Sequence, residues 1–146
     1  MVISIGADHG GLDLKNELLN YLKELNHEVI DHGCYDYSSV DYPDYAHKVC
    51  VDVQEKTASF GVLVCTTGIG MSIAANKHDG IRAALVSNED ASYMTRLHNN
   101  SNVLCLSQKY TDVENAKKIL FTFISTQFDG GGRHLRRVNK ITEMEK

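Results

Sequence analysis

A thiol precedes a glycine-rich turn in the segment Phe60–Lys77, whose sequence is FGVLVCTTGIGMSIAANK. The apolar run Val62–Val64 predicts a buried strand that ends at Cys65, and a small-residue segment with helical character follows the turn. Backbone N–H groups at a helix N-terminus favour anions and the thiolate form of a nearby cysteine. Because cysteine is most often a small buried hydrophobic residue, the sequence leaves two interpretations of Cys65, a packing residue or a catalyst.

The turn Thr66–Ser72 offers several backbone N–H groups ahead of that helix. It contains no Gly-Lys-Ser/Thr sequence, so it is not a Walker A motif, and it lacks the G-x-G-x-x-G spacing of a dinucleotide site. The turn is therefore interpreted as a site for a small anion, with a tight strand-to-helix connection as the structural alternative.

Two titratable residues, Asp8 and His9, follow the first apolar run and precede the pair Gly10-Gly11. Glycines permit a ligand to approach the backbone closely, which favours a binding loop. An aspartate at such a position also commonly caps a helix, so the structural alternative stays open.

Further candidates lie in the last third of the chain. His98 follows a helical pattern within a polar run, where a helix C-cap is the alternative to catalysis. Arg133 and Arg137 are four residues apart and would project from one side of a helix. That spacing suits a two-point grip on a phosphate, although a solvated helix face would show the same pattern.

The composition bounds the class of protein. The chain has 146 residues, of which 42% are hydrophobic and 23% charged, which is typical of one globular domain spanning residues 1–146. A net charge of −4 argues against a general nucleic-acid binder, because such proteins neutralise phosphates with a basic surface. A local group of cations in an acidic protein fits a small anionic ligand better than a polymer.

The cysteines and the termini indicate the compartment. The four cysteines, Cys34, Cys50, Cys65 and Cys105, show no C-x-x-C spacing for zinc or a redox disulfide. The N-terminus lacks the basic and apolar regions of a signal peptide, and no apolar run reaches the ~18 residues of a membrane span. We therefore expect a cytoplasmic protein with free thiols and no membrane partner.

Short apolar runs alternate with segments of helical periodicity along the chain. The predicted strands are Val2–Ile5, Glu28–Asp31, Val62–Cys65, Ile81–Val86 and Asn102–Leu106. Such alternation predicts an α/β fold: a doubly wound, Rossmann-like, five-stranded parallel sheet with helices on both faces. A C-terminal helical tail is expected after Gly130–Gly132. Ligands of such sheets bind at the carboxyl ends of the strands, near the point where strand order reverses.

Local signals place the helix starts. Ser87–Asp90 and Thr111–Glu114 resemble capping boxes, which predicts Ser87 and Thr111 as helix N-caps. The tyrosine-rich segment Cys34–Tyr45, which holds the only proline, is interpreted as a loop.

Six short motifs run from one end of the chain to the other. They are GADHGG near the N-terminus, DYPDYA at Asp41–Ala46, C-x-T-G-I-G-x-S-I-A-A-N-K at Cys65–Lys77, G-I-R-A at Gly80–Ala83, R-x-H-N-x-x-N at Arg96–Asn102 and G-G-R-H-x-x-R-V at Gly131–Val138. Each alone is a loose pattern. In this order, and across nearly the whole chain, they resemble the type B ribose-5-phosphate isomerase family, which also includes subunits of galactose-6-phosphate isomerase.

The resemblance implies an enzyme of the non-oxidative pentose phosphate pathway that interconverts ribose 5-phosphate and ribulose 5-phosphate through a cis-enediolate, without metal or cofactor. It implies that Cys65 is the base, assisted by the Thr67 hydroxyl, and that His98 donates the proton in ring opening. Backbone donors of the turn after Cys65 would stabilise the enediolate oxygen.

The same resemblance implies a set of substrate-binding residues. Asp8 would contact sugar hydroxyls, while His9, Arg133 and Arg137 would bind the phosphate. The full set is Asp8, His9, Tyr42, Thr66, Gly68, Ile69, Gly70, Ser72, Asn99, Lys109, Arg133 and Arg137.

In this family the site is shared across a homodimer interface, so His98 and the two arginines would come from a partner subunit, in a dimer or a tetramer. Two alternatives remain open: isomerisation of a six-carbon sugar phosphate (allose or galactose 6-phosphate), and a non-catalytic phosphosugar-binding domain. Three features depart from the family pattern: Thr66 in place of a glycine, Lys109 in place of an arginine, and one extra glycine in Gly130–Gly132.

Overall fold

The computed structural model describes residues 1–145, which form a sheet of five parallel strands. The strands are β1 (Val2–Ala7), β2 (Glu28–Asp31), β3 (Phe60–Cys65), β4 (Ala83–Leu85) and β5 (Val103–Ser107). They lie in the order β2-β1-β3-β5-β4, and every neighbouring pair is parallel. The predicted doubly wound α/β fold is confirmed.

Over the same residues, six α-helices connect and cover the strands. They are α1 (Leu12–Glu24), α2 (Tyr42–Gln54), α3 (Ile69–Ala75), α4 (Glu89–Asn99), α5 (Val113–Ser125) and α6 (Gly132–Thr142), and a 3₁₀ helix, His9–Gly11, precedes α1. None of these helices combines the length and the apolar character needed to cross a bilayer.

The strand order reverses between β1 and β3. From β1 the chain moves first to β2 on one side and later to β3 on the other. The loops that follow β1 and β3 therefore leave the sheet side by side and lead to helices on opposite faces. Since Ala7 pairs with Val64, Asp8 and Cys65 emerge at the same level, where a doubly wound sheet opens its ligand crevice.

Alternation along β3 separates two apolar cores. Val62 and Val64 pack with α1 and α5 on one face of the sheet, whereas Leu63 and Cys65 pack with α2 and α3 on the other. On the outer side of the first core, α4 packs against α5 and is itself contacted by α6. The helix α6 buries only Val138, which makes it the expected C-terminal helical tail.

Two predicted helix caps are wrong by one residue. Ser87 and Thr111 do not cap α4 and α5; the caps are Asn88 and Asp112, whose side-chain oxygens accept the N–H three residues further on at 2.7 and 2.8 Å. Asparagine and aspartate cap helices at least as well as serine and threonine. Asn88 therefore caps α4 in place of Ser87, and Asp112 caps α5 in place of Thr111.

The segment Cys34–Tyr45 is a loop only as far as Asp41. The helix α2 begins at Tyr42 and holds Pro43 in its first turn, where the missing N–H removes no helical hydrogen bond. The proline therefore starts a helix, and the loop interpretation of the last four residues is wrong.

A buried ion pair ties α1 to the end of β2. Lys15 is fully buried, and its Nζ donates to both carboxylate oxygens of Asp31 at 2.8 and 3.0 Å. The same carboxylate accepts the N–H of Gly33 at 2.9 Å, and the next residue, Cys34, donates to the carbonyl of Ala7 at 2.7 Å. The pair thus fixes the loop that flanks the end of β1, from which Asp8 projects.

We expect Asp31→Ala to lower the free energy of unfolding by about 3 kcal/mol, because it leaves the buried Lys15 ammonium without its charge partner. Urea denaturation of the purified protein measures the loss. Glu17→Ala, on the exposed side of the same helix, is the matched control and should change stability by less than about 0.5 kcal/mol. Equal, small losses in both variants would contradict a structural role for the pair.

Candidate active site

The sulfur of Cys65 lies at the closed end of a crevice and accepts a backbone hydrogen bond. Cys65 is the last residue of β3 and is 6% exposed. The N–H of Gly68 donates to its Sγ at 3.2 Å. This hydrogen bond holds the sulfur against the turn that leads from β3 into α3.

Gly68 reaches the sulfur because its backbone is left-handed, with φ of 77°. A side chain at this position would also collide with its surroundings, since an added Cβ would lie 3.0 Å from the backbone of Leu106 in β5. Glycine is therefore required for the turn that aims its N–H at Cys65.

Thr66 adopts an ordinary backbone conformation, because it is not among the non-glycine residues with positive φ. Its carbonyl accepts the N–H of Lys109 at 3.0 Å and the hydroxyl of Ser107 at 2.7 Å. The threonine therefore does not force the turn after β3 into a left-handed conformation at this position, and the turn is fastened to the end of β5.

Thr67 and Asp8 each stabilise a helical start with their side chains. The Thr67 hydroxyl oxygen accepts the N–H of Ile69 at 3.3 Å, at the first turn of α3. Asp8 is 7% exposed and accepts the N–H of Gly10 at 2.9 Å as the cap of the 3₁₀ helix. The prediction that Asp8 caps a helix is thus correct, and the same residue also lies at the crevice.

A cavity of about 470 Å³ opens above Cys65. We call it the Cys65 cavity; it is lined by Asp8, Tyr42, Cys65, Thr66, Thr67, Ile69, Gly70 and Ile73. The ring of Tyr42 closes one side and packs against Gly70, where an added Cβ would lie 2.6 Å from the ring. Seven residues selected from the sequence are brought together here by β1, β3 and the starts of α2 and α3.

Besides Gly68, three other selected residues lie near the Cys65 cavity but do not line it. The Nδ1 of His9 accepts the N–H of Val40 at 3.2 Å, so a neutral His9 carries its proton on Nε2 and can donate from that atom. The Ser72 hydroxyl donates to the carbonyl of Ile69 at 2.8 Å. The Lys109 ammonium lies over the ring of Tyr110, 5.6 Å from its centre.

The remaining selected residues gather on α4 and α6, away from the Cys65 cavity. His98 stacks on His134 with ring centres 4.2 Å apart, beside Arg133 and Arg137. Partial burial lowers the pKa of His134, and the neighbouring charges of His98 and Arg133 lower it further. We call these four residues the His98 cluster; one chain does not bring it to Cys65.

Asn99, next to His98, lines a second cavity of about 590 Å³ between α3, β4 and the end of α6. It therefore also stands apart from Cys65 within one chain.

A buried arginine fixes the end of α4, which carries His98. The guanidinium of Arg96 is stacked over Phe60 at 4.7 Å and donates to the carbonyl of Ser101 at 2.7 Å and the side chain of Asn100 at 3.0 Å. Its Nε donates to the carbonyl of Thr126 at 3.1 Å, beyond the end of α5. The guanidinium thus joins the turn that ends α4 to the segment that leads into α6.

Two residues of these sites were not selected from the sequence. Ile73 lies four residues after Ile69 on the exposed side of α3, and this helical spacing was the available signal. His134 was visible among the arginines, but only the fold shows that it stacks on His98. Residues 1–145 contain no group of three or more His, Cys, Asp or Glu side chains placed to hold a metal ion.

Comparison with known proteins shows which family the chain belongs to. The profile of the Ribose/Galactose Isomerase family matches residues 3–141. Ribose-5-phosphate isomerase B of Escherichia coli is 41% identical over 144 residues, which covers 99% of this chain and 96% of that protein. A putative sugar phosphate isomerase of Rickettsia conorii is 45% identical over 139 residues, covering 95% and 96% of the two chains.

Solved structures show the same fold throughout. The ribose-5-phosphate isomerase B of Clostridium thermocellum superposes with a TM-score of 0.97 at 45% identity, covering 99% of this chain and 97% of that one. A ribose 5-phosphate isomerase of Thermotoga maritima gives 0.95 at 50% identity, with 97% of each chain covered. This chain is a doubly wound α/β protein with a thiol at the crevice of its switch point. Its relatives place it among the sugar-phosphate isomerases. The chain belongs to the Ribose/Galactose Isomerase family.

We expect iodoacetamide to modify Cys65 before the other three cysteines, because Cys65 alone among them lines the cavity. Burial raises the pKa of Cys50 to about 12 and raises the pKa of Cys105 well above its usual value. Burial also raises the pKa of Cys34. Peptide mass spectrometry after brief labelling of the native protein measures the order, and equal labelling of Cys34 and Cys65 would contradict it.

Proposed function

We propose that this protein is a ribose-5-phosphate isomerase that interconverts D-ribose 5-phosphate and D-ribulose 5-phosphate through a cis-enediolate. The observation that carries the proposal is the Cys65 thiol, which accepts the Gly68 N–H inside a cavity of suitable size for a sugar. Membership of the family, and relatives that are themselves named ribose-5-phosphate isomerase B, support the choice of reaction.

The proposed step from aldose to ketose is a proton relay. The Cys65 thiolate takes the proton from C2 and returns it to C1, while a hydroxyl proton passes from O2 to O1, so no atom is gained or lost. The Thr67 hydroxyl and the backbone N–H groups at the start of α3 bind the substrate oxygens as negative charge develops. Donors fixed in place before the reaction are commonly the largest contribution to such catalysis.

Asp8 and the phosphate ligands complete the proposed site. The Asp8 carboxylate lines the cavity and binds sugar hydroxyls. His9 lies in the 3₁₀ helix after Asp8, and its Nε2 donates to the phosphate. The further ligands that the family implies are Asn99, Arg133 and Arg137, with His98 as the ring-opening acid.

We further propose a homodimer in which the partner subunit supplies the His98 cluster to the Cys65 cavity. Within one chain these residues lie on α4 and α6, outside the cavity, so the site is incomplete without a second copy. Ile69 and Ile73 at the cavity rim are 50% and 58% exposed, and such neighbouring apolar side chains favour a covered surface.

A cytoplasmic location is part of the same proposal. All four cysteines are free, which fits a reducing compartment. The 146 residues would act there as one sugar-phosphate isomerase domain.

We expect Cys65→Ala to lower kcat for ribose 5-phosphate by about 100- to 10,000-fold, the range typical of losing a general base. Formation of ribulose 5-phosphate is measured directly, with circular dichroism to check the fold. The matched control is Cys50→Ala, which removes a buried thiol outside the cavity and should retain activity.

Full activity of Cys65→Ala would contradict the thiol base. If the wild-type protein binds sugar phosphates but turns none over, the non-catalytic binding domain is the correct reading. Faster turnover of allose 6-phosphate than of ribose 5-phosphate would instead favour the six-carbon alternative.

We expect an inactive Cys65→Ala protein and an inactive His98→Ala protein to restore activity when they form mixed dimers. Random pairing should restore about a quarter of wild-type activity, because half of the dimers are mixed and each holds one intact site. Two affinity tags isolate the mixed species for assay. Purified mixed dimers without activity would contradict the shared site. The control is a dimer of two Cys65→Ala chains that carry the two different tags, and it should stay inactive.

A further inference from the structure

Thr66 presents a fixed side chain to the crevice. It is exposed and lines the Cys65 cavity beside the base. Its carbonyl is held by Lys109 and Ser107, so the backbone is fastened to the end of β5. Because threonine is branched at Cβ, few rotamers are available, and the direction of the side chain is well defined.

The side chain of Thr66 fills the gap between the loops that follow β3 and β1. An added Cβ on Gly10 would overlap the Thr66 hydroxyl oxygen and would lie 3.3 Å from the Thr66 Cβ. The threonine therefore touches the backbone of the 3₁₀ helix His9–Gly11. No room for another carbon remains between these two loops.

Under the proposed function, this contact lies between the base and a phosphate ligand. The proposed base, Cys65, precedes Thr66, and the proposed phosphate ligand, His9, precedes Gly10. A sugar phosphate that extends from one to the other passes over the Thr66–Gly10 contact.

We propose that Thr66 is a specificity-determining residue that favours five-carbon over six-carbon sugar phosphates by narrowing this crevice. The proposal rests on the proposed function. An aldose 6-phosphate has one more carbon between its reacting end and its phosphate, and with both ends fixed that carbon must bulge from the path. With Thr66 in place the bulge has no space on the protein side, whereas a glycine would provide it.

The test compares kcat/KM for D-allose 6-phosphate and D-ribose 5-phosphate, which share their configuration at C2 to C4. In Thr66→Gly, the kcat/KM for allose 6-phosphate divided by that for ribose 5-phosphate should rise by about tenfold or more. One methylene in a pocket changes discrimination by about 10- to 200-fold, and the additional CHOH group of allose 6-phosphate is larger than a methylene. An unchanged ratio in Thr66→Gly would overturn the proposal.

Thr66→Val is the matched control, because valine keeps the branched shape and replaces only the hydroxyl with a methyl group. It should retain the wild-type ratio. A shift in Thr66→Val as large as in Thr66→Gly would mean that a hydrogen bond of the hydroxyl, and not the width of the crevice, sets the preference, and the proposal would fall.

The contact itself can be tested without any turnover. Gly10→Ala should lower the melting temperature, because its Cβ meets the Thr66 hydroxyl, and this loss should shrink when Thr66→Gly is present in the same chain. If Gly10→Ala lowers the melting temperature equally with Thr66 and with Thr66→Gly, the proposal that Thr66 narrows the crevice is overturned. If the wild-type protein turns over neither sugar phosphate, the proposed function fails. The comparison of melting temperatures still decides whether the Thr66 side chain contacts Gly10.

Discussion

The hydrogen bond from the Gly68 N–H to the Cys65 sulfur is the interaction on which the proposed site depends. It needs a left-handed residue at the third position after the cysteine, and it needs that residue to pack against the backbone of Leu106. Both conditions exclude a side chain at position 68. The neighbouring carbonyl of Thr66 is bound from the end of β5, so β5 holds the turn from behind. The geometry of one thiol therefore depends on the packing of two adjacent strands.

The residues of the proposed site lie in two places that one chain does not bring together. The Cys65 cavity is built from loops at the switch point, where the sheet fixes the position of every backbone group. The His98 cluster stands on α4 and α6, and Arg96 fixes this unit through carbonyls of both adjoining segments. A guanidinium suits that task because it donates in several directions from one rigid plane. Each half is thus held by hydrogen bonds within its own chain.

Sequence patterns predicted the sheet and the cavity well because these depend on local order. The apolar run of β3 had to end at Cys65, and parallel strands bring their carboxyl ends to one edge, so Asp8 and Cys65 had to be neighbours. Helix caps were placed less well, since Asn88 and Asp112 each stand beside another capable residue and the choice depends on the path of the incoming chain. The stacking of His134 on His98 depends on how α6 lies across α4, which no local pattern encodes.

Thr66 also makes a contact that the sequence alone does not predict. The sequence raised the question of whether a threonine would distort the turn, and the backbone answers that it does not. What the sequence does not show is that its side chain contacts Gly10, more than fifty residues earlier in the chain. A glycine at position 10 is then required by its neighbour in the next loop as well as by any ligand.

Depth along the strand separates the candidate base from Cys105. Cys65 and Cys105 belong to the same apolar core on the same face of the sheet. Cys105 pairs with Leu63, so it lies two residues deeper than Cys65, which pairs with Ser107 at the end of β5. Two residues of strand correspond to about 6.6 Å, and over that distance the surroundings change from closed core to cavity wall. Burial raises the pKa of the deeper thiol. The one at the strand end accepts an N–H and faces the crevice.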